Sequence, residues 1–460
     1  MFTSDQSRRA FLKRSAALGI AGGAAPFVTN LAAIGEAAAA TASDYKALVC
    51  VFLFGGNDYA NTLPPYDQAS YNLYAAARQN LAHGRDTLAA TLLNPSTALA
   101  GGRQYALSPT MAPLVPIFDA GRMAVVLNVG TLVQPTTKAQ YTANSVRLPP
   151  KLFSHNDQQS YWQASNPEGA TSGWGGRMGD LLQSGNGTAT LTCINATGNA
   201  VFLSGRTAIP YSVGTTGPIA LLNNGSTLFG STAAASTLRT LMTGTNANMF
   251  ANEHATVSRR ALDTYAQVNA ALAGAPVANF PLFPTGNNLA SQLQIVARLI
   301  SVSQELGAKR QVFFVSQGGF DLHDNLLAQH PGLLGNVASA IRAFYDTTVA
   351  LGVADRVTTF TGSDFGRTLQ SNDDGSDHGW GGMHFVAGGA VNGRRFYGTP
   401  PAIGNNTPDD VGQGRLLPTI SVDQYASTLA SWFGVSASNM STVLPNIGNY
   451  NPSMWNLGFV

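Results

Sequence analysis

Charge is scarce in this chain: Asp, Glu, Lys and Arg make up 11% of its 460 residues, against 44% hydrophobic. Four of the 26 basic and two of the 24 acidic residues lie among the first 42, so the remainder carries 22 of each. A neutral chain without a basic stripe has nothing to match a phosphate backbone, which excludes a nucleic-acid partner. Cysteine is scarcer still. Cys50 sits in the apolar run ALVCVFLF and Cys193 in the alternating run TATLTCIN, and neither has a metal-ligand spacing, so they read as two inert core thiols, with a single bridge between them as the alternative. Long apolar runs are missing too, so no stable membrane anchor is expected once the N-terminal signal is removed.

What the chain does have is length and apolar content enough for a large core, which excludes a disordered protein. It opens with SRRAFLK (7–13), the apolar run SAALGIAGGAAPFV, and Ala40-Thr41-Ala42 as small residues for cleavage. This pattern reads as a twin-arginine export signal over residues 1–42, placing the mature protein in the periplasm or outside the cell. That route carries chains already folded, which suits a protein that acquires a metal first.

From residue 43 to 460 the rhythm is strand, loop, helix. ALVCVFLFGG (47–56), MAVVLNVG (123–130), QVFFVSQGG (311–319) and VTTFTGSD (357–364) are short apolar runs ended by turn residues, as buried parallel strands require. Amphipathic helices are expected at 288–308 and 333–352, and SVDQYASTLASWFG (421–434) starts on a serine cap and stops at glycine. The alternation predicts an α/β fold with a mainly parallel central sheet flanked by helices. A Gly/Ser/Thr/Asn-rich stretch at about 186–285 departs from this rhythm and reads as an inserted cap subdomain.

The polar residues fall at the ends of these strands. Asp58 follows the first in GGND, Asp321 and His323 follow the third in GGFDLHD, and Asp364 follows the fourth in SDFGR. His378 comes fourteen residues later, in a stretch that also holds Asp373, Asp374, Asp377 and Arg367. Residues beyond the carboxyl ends of parallel strands share one rim. Carboxylates and imidazoles gathered there are neutralised most simply by a divalent cation. Four of the seven histidines, His155, His323, His378 and His384, sit in such glycine-flanked motifs. Each residue also has a plainer role: Asp58 as a turn residue, His323 on the surface, Asp373, Asp374 and Asp377 as solvated loop groups. Trp162, Trp174 and Trp380 lie near the motifs, where they suit either sugar rings or core packing.

Together LFGGND, LFSHNDQQSYWQ, GWGGR, GGFDLHDN, SDFGRT, DHGWGGMHFVAGGAV and SVDQYASTLASWFG resemble the exported bacterial family known as domain of unknown function 1501, over nearly the whole mature chain. That family in turn resembles the alkaline phosphatase superfamily, with its sulfatases. The resemblance implies an alkaline phosphatase-like α/β domain over 43–460 and one or two divalent ions, with zinc first and manganese, calcium or magnesium as other options. By position Asp58, Asp321, His323, Asp364 and His378 correspond to its ligands. Phe365 stands where the superfamily has a histidine. Ser154, at a helix start, corresponds to the nucleophile, with helix capping as its plainer role, and His155 or Arg367 to the groups that steady the transferred anion. The implied activity is hydrolysis of phosphate or sulfate esters of small molecules or glycans. The competing expectation is a non-catalytic periplasmic binding or carbohydrate-associated protein on the same scaffold. An exported protein partner is a further expectation from the family.

Overall fold

The computed structural model describes residues 45–198, 200–221 and 227–460, so the expected export signal lies outside the described residues. The strands are β1 (Lys46–Leu53), β2 (Met123–Gly130), β3 (Cys193–Asn195), β4 (Tyr211–Gly214), β5 (Gly217–Pro218) and β6 (Arg310–Gln317). They continue with β7 (Val357–Ser363), β8 (Arg367–Ser371), β9 (Ser376–His378), β10 (Gly382–Gly388), β11 (Arg395–Tyr397) and β12 (Ile420–Ser421).

β1 lies at the heart of the sheet because it is apolar at every position from Ala47 to Leu53, which suits a strand covered on both faces. Ala47, Val49, Val51 and Leu53 enter one core cluster, and Leu48, Cys50 and Phe52 enter the other. β6 and β7 flank it in parallel, with Lys46 opposite Arg310 and Ala47 opposite Val357. The full order is β11–β2–β10–β7–β1–β6–β3–β4–β5, with β12 also on β2, while β8 and β9 form a separate hairpin.

β10 runs antiparallel between β2 and β7. No helix crosses over between β7 and β10. The hairpin β8–β9 fills that connection, so the chain re-enters the sheet reversed. The consequence is geometric: β10 begins at the same rim where β1, β6 and β7 end. In the stretch expected as an insertion, the sheet itself continues, since β3 pairs in parallel with β6 and β4 with β3.

Helices α1 (Gln68–Arg78), α2 (His155–Ala164), α3 (Trp174–Leu182), α4 (Thr232–Thr243), α5 (Met249–Ala273), α6 (Asn288–Ser301), α7 (Leu326–Ala350) and α8 (Val422–Phe433) are the principal ones. α6 and α7 cover one face of the sheet, α3 and α8 the other. α8 starts as expected, with Ser421 and Gln424 exchanging a reciprocal capping box, and stops at Gly434, whose φ is 121°. Cys50 and Cys193 are buried and unpaired. No helix among the described residues is long and apolar enough to cross a membrane.

Candidate metal centre

The rim above β1, β6 and β7 gathers imidazoles from three different segments. His155 opens α2, His323 lies in the loop after β6, and His378 ends β9. His155 Nε2 stands 3.0 Å from His378 Nε2, and His323 Nε2 stands 2.9 Å from the same atom. Asp321 lies among them: Oδ2 is 3.3 Å from His155 Nε2, and Oδ1 is 3.1 Å from His323 Nε2 and 3.2 Å from His378 Nε2. The ligand atoms of His155, Asp321 and His378 all fall within 4.8 Å of one another.

The opposite nitrogen of each ring fixes which atom carries the proton. His378 Nδ1 lies 2.6 Å from the Phe153 carbonyl, His155 Nδ1 lies 2.7 Å from Asp364 Oδ2, and His323 Nδ1 lies 3.2 Å from Asp377 Oδ1. A carbonyl and ionised carboxylates only accept, so each ring donates from Nδ1 and presents an Nε2 lone pair inward. Three lone pairs and a carboxylate facing one another within hydrogen-bonding range repel unless a cation lies between them. Metal-bound histidines have this arrangement, with the far N–H held by a carboxylate or a backbone carbonyl.

The electrostatics follow from the same contacts. The Asp364 hydrogen bond raises the His155 pKa above its ordinary value against the opposing effect of burial. Burial lowers that of His378, and the Phe153 carbonyl only partly offsets it. Burial pushes the Asp321 carboxyl up, but the Arg367 hydrogen bond and charge, aided by His155 and His323, hold it below the usual carboxylate value. The His323 and Asp321 side chains are each 45% exposed against 24% for His155 and His378, so the cluster is open on one side.

Two glycines let the loop after β1 reach this rim. Gly55 has φ 114°, and a Cβ there would lie 2.4 Å from the Asp321 backbone nitrogen. Gly56 has φ 81°, and its Cβ would lie 2.4 Å from the Phe365 ring. That ring in turn walls the site, with centroids 4.9 Å from His155 and 4.8 Å from His378.

Of the residues expected to bind metal, Asp321, His323 and His378 meet, while two do not join them. Asp58 is buried in its own network: Oδ1 accepts from Asn61 N at 2.9 Å, and Oδ2 accepts from Arg78 at 2.8 Å and Ser376 Oγ at 2.7 Å. The GGND turn makes it the N-cap of a helical turn, Tyr59–Thr62, and the basic end of α1 neutralises it. Asp364 stands one step behind the ligands. Its Oδ2 accepts from His155 Nδ1, from Gln159 Nε2 at 2.8 Å and from Gly55 N at 3.1 Å.

The residues expected at the transferred anion also change role. His155 belongs to the ligand cluster itself. Arg367 is fully buried, donates from Nη1 to Asp321 Oδ1 at 2.7 Å and the Gly55 carbonyl at 3.2 Å, and from Nη2 to the Ser376 carbonyl. It therefore orients Asp321. Ser154 takes the N-cap position of α2, but its hydroxyl donates to Asp157 Oδ2 at 3.0 Å and makes no side-chain cap. His384 is buried beside Trp162, its Nδ1 3.3 Å from Thr361 Oγ1, and Trp162, Trp174 and Trp380 are all core residues. Sequence reasoning missed Asp377, read as solvated, and the Phe153 carbonyl, which no side-chain pattern signals.

Comparison with known proteins bears on this chain in three ways. A family model described as "Protein of unknown function (DUF1501)" matches residues 45–443. No curated protein matches. Among solved structures, the crystal structure of the lipoteichoic acid synthase LtaP from Listeria monocytogenes is similar at 9% identity and a TM-score of 0.34, covering 90% of this chain and 76% of that one. That likeness is too distant to carry an inference about activity.

Proposed function

The chain belongs to the DUF1501 family, and from that premise we propose that it is a metal-dependent hydrolase of phosphate or sulfate esters. Its ion is held by His155, Asp321 and His378, with His323 beside them on the open side. The observation that carries this reading is the orientation of the three imidazoles, each anchored through Nδ1 and each turning an Nε2 lone pair inward. A histidine-rich nitrogen and oxygen set suits zinc better than calcium or magnesium, which favour oxygen alone. An ion there supplies Lewis acidity toward an ester oxygen and lowers the pKa of bound water.

The protein's own groups do the rest. Asp364, Asp377 and the Phe153 carbonyl fix the tautomers, and Arg367 holds Asp321 ionised. Asp157 takes the Ser154 hydroxyl proton as a hydrogen bond, so the oxygen keeps its lone pairs free beside His155. The first-turn amides of α2 favour an anionic group at that end. Ser154 is the nucleophile in this reading. Export through the twin-arginine route, to the periplasm or beyond, is part of the proposal and rests on the sequence pattern of residues 7–42 alone.

The test begins with the full chain, stripped of metal and titrated with zinc, manganese, calcium and magnesium. About one equivalent of zinc is expected, followed by cleavage of an aryl phosphate or aryl sulfate. Failure to bind any divalent ion at micromolar concentration overturns the metal centre. Phe365, apolar where the superfamily has a histidine, favours the second reading, a non-catalytic binding protein; stoichiometric metal with no turnover on either ester selects it.

A further inference from the structure

A groove of about 280 Å³ opens along α2, lined by Asn156, Gln159, Ser160 and Gln163, with Phe54 and Glu168 at its sides. The four helix positions are spaced i, i+3, i+4 and i+7, which puts them on one stripe. His155 begins the same helix. Gln159 belongs to both features, because its Nε2 donates to the Asp364 oxygen that holds His155. Among the described residues its Oε1 has no partner, and neither does the Asn156 side chain. Gln163 is only 4% exposed; its Oε1 accepts from Phe202 N at 3.2 Å, and its Nε2 has no partner among the described residues.

The chemistry of the lining selects the ligand. No Lys, Arg or His faces the groove, and its single ionisable group is the Glu168 carboxylate, so an anionic group finds no counter-charge here. Amides and a hydroxyl form the helix wall, which does not suit an acyl chain. Unpartnered amide donors and acceptors beside a half-buried aromatic ring match a neutral ring whose edge is hydroxyl and whose faces are C–H.

We propose that this groove is a subsite for a neutral sugar ring, so that the esters hydrolysed are phosphate or sulfate esters of saccharides. The ester part of this statement rests on the hydrolase reading above; the sugar part rests on the groove alone.

Saturation-transfer NMR and calorimetric titration of the full chain, with and without zinc, test it against the methyl glycosides of glucose, galactose, mannose and N-acetylglucosamine. At least one is expected to bind the metal-stripped protein. Ala170→Trp, at the half-buried lip of the groove, is expected to weaken binding by about tenfold or more, and Asn156→Ala by several-fold, roughly the loss of one or two hydrogen-bonding partners, with zinc affinity unchanged. Absence of binding by all four glycosides, or undiminished binding in both variants, overturns the proposal. Aryl ester cleavage without glycoside binding removes the sugar subsite alone, and glycoside binding without zinc uptake removes the hydrolase reading alone.

Discussion

Asp364 is the sharpest handle on the metal centre, because it touches no ion in the proposed arrangement yet fixes a ring that does. Its buried Oδ2 accepts from His155 Nδ1 at 2.7 Å, Gln159 Nε2 at 2.8 Å and Gly55 N at 3.1 Å. Asp364→Asn keeps the shape and removes the charge. A hydrogen bond to a charged group contributes ~1.5–3 kcal/mol and a neutral one ~0.5–1.5 kcal/mol, so the exchange forfeits about 1–1.5 kcal/mol of the hold on His155. At ~1.4 kcal/mol per decade, zinc affinity falls roughly five- to tenfold, near the lower bound for groups that support metal ligands. Titration against a competing chelator measures it. Asp58→Asn is the control: it breaks the buried pair with Arg78 and costs about 3–5 kcal/mol in denaturant unfolding, while zinc affinity stays within about twofold. Wild-type affinity in Asp364→Asn, or an equal loss of affinity in Asp58→Asn, refutes the assignment of Asp364 as support and Asp58 as bystander.

In the metal-free protein His155 titrates above the ordinary value of 6.5 and His378 below it, which histidine C–H NMR shifts report. A raised His155 contributes stability that is complete below about pH 6.5 and is lost as pH rises through its folded value; zinc binding has the opposite sign, weakening as pH falls through that value because a proton competes for Nε2. A His155 that titrates below His378 contradicts this. Ser154→Ala abolishes ester turnover and leaves zinc affinity unchanged, a separation read by assaying both on one preparation. Gly55→Ala strains a backbone at φ 114° and drives a methyl into the Asp321 amide, so it lowers zinc affinity or prevents folding, as chelator titration and circular dichroism show.

Much of the scaffold was legible because burial on both faces leaves a simple mark. The apolar runs at 47–53, 123–130 and 311–315 are strands, and the serine-to-glycine frame of 421–434 is α8. β10 escaped because strand direction depends on what connects it, and a hairpin in place of a crossover helix is visible only once β8 and β9 pair. The candidate site was legible as a rim but not as a ligand set. Asp58 and Asp321 look alike in sequence, each an aspartate after a strand and a glycine pair; Arg78, twenty residues on from Asp58, closes α1 against that carboxylate. Arg367 likewise read as free for a substrate until its burial beneath Asp321 showed it committed.

By itself the sequence determined that the apolar runs are buried strands and the amphipathic stretches helices, and that its carboxylates and imidazoles collect at strand ends, because these follow from local pattern and spacing. Tertiary structure alone decided which of those groups face one another, since a contact between residues 209 or 223 positions apart, such as the hydrogen bond of His155 to Asp364 or the approach of its Nε2 to that of His378, depends on distance and angle in three dimensions. Proton positions on the three imidazoles belong to that second category, for they are set by acceptors that arrive from other strands and loops.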